Sequence, residues 1–175
     1  MSVSSFELPE PLRAFFEYWN GLPKTGLMPK LADFFDSVPP AVAPYLAIAD
    51  ILGPEDTRLR FFGTRLVERA EFDPTGLPVA ALYAESLRKR IHDVMWTCTR
   101  RPAGYVLRRT IVVRSGFLND NLSLGLPVEI PTSNLRAVIA FTHGIADARM
   151  IDRGADTLVQ ELKFERWVDL GAGAP

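Results

Sequence analysis

The chain has 175 residues, 47% hydrophobic and 23% charged, with a formal net charge of -1. That length accommodates one domain with a proper core and an extension at each end, and the composition excludes disordered and fibrous classes. The near-neutral balance leaves no overall field to attract nucleic acid or anionic lipid.

The N-terminal stretch carries Glu7 and Glu10 and has neither a basic start nor an apolar run of signal-peptide length. No later run approaches the roughly 20 apolar residues of a membrane span, so a cytoplasmic protein is expected. Cys98 is the only cysteine, which rules out an internal disulfide and a cysteine-based zinc site within one chain. The two histidines, His92 and His143, supply little for metal chemistry.

In residues 11–22, Leu12, Phe15, Phe16 and Trp19 fall at i, i+3, i+4 and i+7. This is one face of an amphipathic helix opened by Pro11 and closed at Gly21. The stripe predicts burial, against the domain's own sheet or against a second copy of the chain as a homodimer contact. Five prolines between Pro23 and Pro44 break the next stretch into short pieces. Lys30–Phe35 makes one or two turns with Leu31, Phe34 and Phe35 inward, and Ala41–Tyr45 another.

Leu46–Leu52 and Arg58–Phe62 read as strands joined through Gly53-Pro54. Asp50 shares the alternating face of Leu46 and Ile48, so it sits at the sheet margin or pairs with a cation. A strand break at Gly63-Thr64 leads into a short helix over Thr64–Ala70, then an Asp73-Pro74-Thr75-Gly76 turn and a short helix over Pro78–Tyr83. Glu85–Arg100 carries the longest helical pattern, with Leu87, Ile91, Val94, Met95 and Cys98 along one stripe. Arg100 and Arg101 suit its C-terminal end, and Pro102 stops it.

Tyr105–Val113, Leu122–Ile130 and Leu135–His143 alternate as strands, separated by turn chemistry at Gly116–Asn121 and Pro131–Asn134, and form an antiparallel meander. Leu158–Leu170 fits a strand or a helix. The order β-β, short helices, long helix, β-β-β implies an α+β domain with five antiparallel strands and helices on one face, plus the N-terminal amphipathic helix.

Tyr18-Trp19, Leu27-Met28-Pro29-Lys30-Leu31-Ala32-Asp33, Tyr45 to Leu52, Arg60-Phe61-Phe62-Gly63-Thr64-Arg65, Asp73-Pro74-Thr75-Gly76 and Leu126-Pro127 carry a resemblance. Taken as an ordered set over roughly residues 12–145, they resemble the signatures of a PAS-like family of small bacterial proteins. The resemblance implies a PAS-like sensory or signalling domain with a cavity between sheet and helices for a small molecule, and no catalytic residue. It divides the chain into a helix and Pro-rich lead-in over 1–44, a PAS-like core over 45–145 and an extension over 146–175. No kinase, cyclase or DNA-binding segment follows the core, so output is expected through a dimer or a separate effector protein.

The candidate ligand-binding set is Tyr83, His92, Trp96, Tyr105, Arg109, Phe141 and His143; the candidate dimer set is Leu12, Phe15, Phe16 and Trp19. Arg109 shares an alternating face with Leu107 and Ile111. A guanidinium there needs a counter-charge, supplied by a ligand carboxylate or phosphate, or by an internal partner such as Asp50. His92 lies on the long helix, and the resemblance implies haem binding there, since some haem-binding PAS proteins hold iron through a helix-borne histidine; the other reading is a hydrogen-bonded or surface histidine. The aromatic residues line a cavity or simply fill the core. Cys98 reads as an inert core thiol, and the flavin-reactive Asn-Cys-Arg pattern is absent. No nucleophile elbow, phosphate-cradling glycine loop or His-rich motif appears, so no enzyme activity is expected. A ligand-free PAS-like interaction module is the alternative.

Overall fold

The computed structural model describes residues 8–145, 149–150 and 158–175. The first seven residues of the lead-in and residues 146–148 and 151–157 of the expected extension lie outside them.

Among the described residues four α-helices, α1 (Glu10–Gly21), α2 (Leu31–Ser37), α3 (Thr64–Ala70) and α4 (Glu85–Arg100), accompany seven strands. The strands are β1 (Leu46–Ile51), β2 (Thr57–Phe62), β3 (Ala103–Val112), β4 (Phe117–Ile130), β5 (Leu135–Gly144), the two-residue β6 (Arg149–Met150) and β7 (Val159–Asp169). Six form one antiparallel sheet in the order β2-β1-β5-β4-β3-β7, and β6 pairs with the start of β4.

Two expectations need correction. The sheet has more than five strands because Leu158–Leu170, open between strand and helix, forms β7 on the free edge of β3. Its pairing needs two irregularities, between Val106 and Leu107 and between Thr110 and Ile111, which blur the period-2 pattern that identifies a strand. Helices cover both faces rather than one. Leu12, Phe15 and Trp19 of α1 and Leu31 and Phe34 of α2 pack on one face against Leu124, Leu126, Ile139 and Phe141. Ile91, Val94, Met95 and Cys98 of α4 pack on the other against Tyr105, Leu107 and Val138. The α1 stripe, open between the domain's own sheet and a dimer contact, is covered by the chain's own sheet: Leu12, Phe15 and Trp19 are at most 1% exposed, with Phe16 half-buried beside them. The Trp19 indole donates to the Pro127 carbonyl at 3.2 Å, and Phe15 stacks on Phe141 with centroids 5.5 Å apart.

Local chemistry accounts for the connections. Asp73 accepts from the backbone and hydroxyl of Thr75, and the Gly76 amide then donates to Leu59, tying the turn to β2. At Gly63, where the chain leaves β2 for α3, a β-carbon would lie 2.4 Å from the Pro44 carbonyl oxygen, so the entry is reserved for glycine. Residues 117–121, expected as turn, are strand: Gly116 at φ 92 makes the turn earlier, and Thr110 donates across the ladder to Asp120 at 2.8 Å. Phe35 of α2 faces outward, its ring edge-on to Phe61 at 6.3 Å.

Candidate functional site

The site follows from strand register. Leu107 pairs with Ser123, and Ser123 with Thr142, so these three share the face that α4 covers. Arg109, two residues beyond Leu107, stays on that face and leans back across β4 and β5. Its guanidinium donates to the Tyr83 hydroxyl at 3.0 Å, to Thr142 Oγ1 at 2.9 Å and to Ser123 Oγ. The Ser123 and Thr142 hydroxyls are themselves 2.9 Å apart.

All three partners are neutral. Arg109 makes no ion pair among the described residues, and its Nε is buried without a hydrogen-bond partner. Asp50, the internal counter-charge considered above, pairs instead with Arg60 at 2.7 Å. The side chain is half-buried, so the cation has left part of its hydration behind and received only hydroxyl dipoles in return.

Beside Arg109 lies a cavity of about 40 Å³ bounded by Leu82, Tyr83, Met95, Tyr105, Leu107 and Ser123, among others. A second space of about 30 Å³ lies among Phe62, Arg69, Asn119, Asn121 and Thr142. Arg109 borders the first, and its partner Thr142 borders the second. The first cavity takes its floor from the Tyr105 ring, which crosses Gly125 so closely that a β-carbon there would sit 2.1 Å from the ring. Burial pushes the Tyr105 phenol and the Cys98 thiol well above their ordinary pKa values, so both stay neutral at physiological pH.

Of the seven candidate ligand residues, the structure brings Tyr83, Tyr105 and Arg109 together and separates the rest. Phe141 and His143 face α1, because they pair with Leu124 and Leu122 rather than with the Ser123 row. Trp96 lies toward the C-terminal end of α4, its ring under the Arg100 guanidinium at 4.2 Å. His92 is buried with Nδ1 3.4 Å from Thr57 Oγ1. Haem does not fit here: the space between sheet and α4 beside Arg109 is about 40 Å³, and His92 does not border it. No cluster of three or more metal-ligating side chains occurs among the described residues.

Sequence reading missed Ser123, Thr142, Asn121 and Arg69. A signal was present: Asn121, Ser123 and Gly125 are the small or polar complement of the Leu122, Leu124, Leu126 set. With helices on only one face such a complement faces water, whereas here α4 covers it and Asn121, Ser123 and Thr142 are at most 3% exposed.

No family model matches the chain, and no curated protein matches it. The fold and site define an α+β protein with one mainly six-stranded antiparallel sheet between two helical layers and a half-buried arginine in a hydroxyl-lined recess. No described helix is long and apolar enough to cross a membrane.

Proposed function

We propose that the chain is a PAS-like sensory module that holds a small organic ligand between its sheet and α4, with Arg109 as the anchor. The observation that carries this is the state of Arg109: a half-buried guanidinium with three hydroxyl partners, no carboxylate among the described residues and an unpartnered Nε. Structural arginines in such surroundings are matched by an acid; a ligand-binding one is left for the ligand to match. The PAS-like reading is supported by the succession of two strands, short helices, a long helix and three meander strands, with α3 and α4 on one face of that sheet.

Output through α1 fits the same frame. Thr142 touches Arg109 on one face of β5, and its neighbour Phe141 stacks on Phe15 of α1 on the other. Ligand exchange at Thr142 shifts β5 and alters how α1 docks for a partner protein or a second copy. The small cavity favours a second reading, a ligand-free PAS-like interaction module whose core is nearly filled.

A thermal-shift panel of small organic acids, amines and neutral metabolites separates the two, with hydrogen exchange of the α1 amides as the readout of transmission. The sensory reading expects a stabilising ligand, loss of its effect in Arg109→Met and altered α1 protection on binding. No stabilising compound, with α1 protection unchanged throughout, favours the interaction module.

A further inference from the structure

We infer that the ligand of this site is a short-chain monocarboxylate, of about two or three carbons, that enters past Arg69. This deepens the sensory reading and rests on it. Three independent features point the same way: the charge at the recess, its size, and a second guanidinium at its mouth.

The recess presents positive charge and hydroxyls and no acid. Arg109 supplies a fork with one buried N–H open at Nε, and carboxylate geometry matches two adjacent guanidinium donors. Ser123 and Thr142 already bond each other, so they remain satisfied when Arg109 turns toward an anion. The exchange releases the buried Tyr83 hydroxyl, which is then free to donate to the anion.

Size sets the upper limit. The two spaces measure about 40 and 30 Å³, where a cavity needs roughly 10–15 Å³ of such space to hold one water. A carboxylate with one or two further carbons fills them once Arg109 and Thr142 adjust. The apolar wall, Leu82, Met95 and Leu107, meets the tail. A phosphate offers no tail to that wall and is dianionic in part, with a single guanidinium inside to meet it.

Arg69 marks the route. It is exposed, forms no ion pair among the described residues, and stacks over Tyr45 at 5.6 Å. Its guanidinium nitrogens and Asn121 Oδ1 all lie within 3.9 Å of where a β-carbon on Gly144 would be, and both residues border the second space together with Thr142. Arg69, Asn121, Thr142 and Arg109 therefore form a polar line from solvent to the recess through an otherwise apolar layer. An exposed cation at the mouth raises the local concentration of anions, an effect that salt removes.

The test is a set of NMR titrations of the ¹⁵N-labelled full chain with propionate, propionamide, hexanoate and inorganic phosphate. The inference expects saturable shifts at the Arg109 Nε–H and the Ser123 and Thr142 amides with propionate. Affinity for each of the other three is expected at least tenfold weaker. Arg69→Gln is expected to weaken propionate several-fold at low salt, with the difference gone in about 0.5 M salt, where the screening length falls below 5 Å or so. Propionamide or hexanoate binding as tightly as propionate, phosphate binding more tightly, or no effect of Arg69→Gln at low salt overturns the inference. If such a ligand still shifts Tyr83 and Met95, the sensory reading survives without it; if no probe and no panel compound binds, both fall.

Discussion

A half-buried cation matched only by hydroxyls makes an unusual prediction for stability. Arg109→Met removes three charge-assisted hydrogen bonds, each worth about 1.5–3 kcal/mol. It also removes the desolvation penalty of the cation, itself several kcal/mol when no opposite charge compensates it. The two largely offset, and Ser123 and Thr142 keep their mutual bond at 2.9 Å. The expected net change is within about 1 kcal/mol in either direction, or about 2–4 °C in Tm for a chain of this size. Ser123→Ala with Thr142→Val does the reverse: it strips the cation of two partners and leaves it in place, at an expected loss of about 3–5 kcal/mol. Adding Arg109→Met to that pair is expected to recover about 3 kcal/mol, a coupling readable from a double-mutant cycle by urea denaturation. A loss above about 4 kcal/mol from Arg109→Met alone, with no recovery in the combined variant, refutes the reasoning and makes Arg109 a structural pin.

Further expectations come from other parts of the chain. Phe16→Glu with Trp19→Glu is expected to unfold the protein rather than yield a folded monomer by light scattering and circular dichroism, since Trp19 is 1% exposed and its indole is bonded to Pro127. Gly125→Ala drives a β-carbon into the Tyr105 ring and is expected to cost about 2–3 kcal/mol, partly relieved by Tyr105→Leu in the same chain. Cys98 is buried and its thiol pushed up by that burial, so it is expected to resist thiol reagents in the native state and react promptly in urea. The Arg108 hydrogen bond holds the Glu165 carboxyl below its ordinary 4.5. Its contribution is therefore present above that value and lost as pH falls through the lower folded-state one. Arg108→Ala is expected to lower the urea midpoint slightly across the neutral range and to shallow its acid limb, the two proteins converging once Glu165 is protonated.

How far the sequence reached is clearest at three places. Thr64–Ala70 and Glu85–Arg100 were legible to the residue because their apolar stripes and their Gly63 and Pro102 boundaries are local signals. The strand within Leu158–Leu170 was not, since its two register irregularities erase alternation and its identity as strand depends on the free edge of β3. The α1 stripe was legible as a stripe, but which surface covers it is a tertiary fact.

The site shows the same boundary. Arg109 stood out because a cation on a face with Leu107 and Ile111 conflicts with burial. Tyr83 and Tyr105 lie beside it, whereas Phe141 and His143 do not, because the alternating sets of neighbouring strands need not share a face. Alternation gives two faces per strand; only register, here Leu107 to Ser123 to Thr142, says which faces coincide. Without it, Ser123 and Thr142 read as solvent-facing residues of half-exposed strands.

The central claim is that Arg109 anchors a small ligand, and native mass spectrometry of the freshly purified chain tests it most directly. Wild type and Arg109→Met are compared, each beside a denatured sample. The account predicts a non-covalent mass on the wild type alone that disappears on denaturation or, for a protein stripped in purification, one that returns with added propionate on the wild type alone. The same adduct on both proteins, or a clean mass for the wild type with and without propionate and with every compound of the panel, contradicts it.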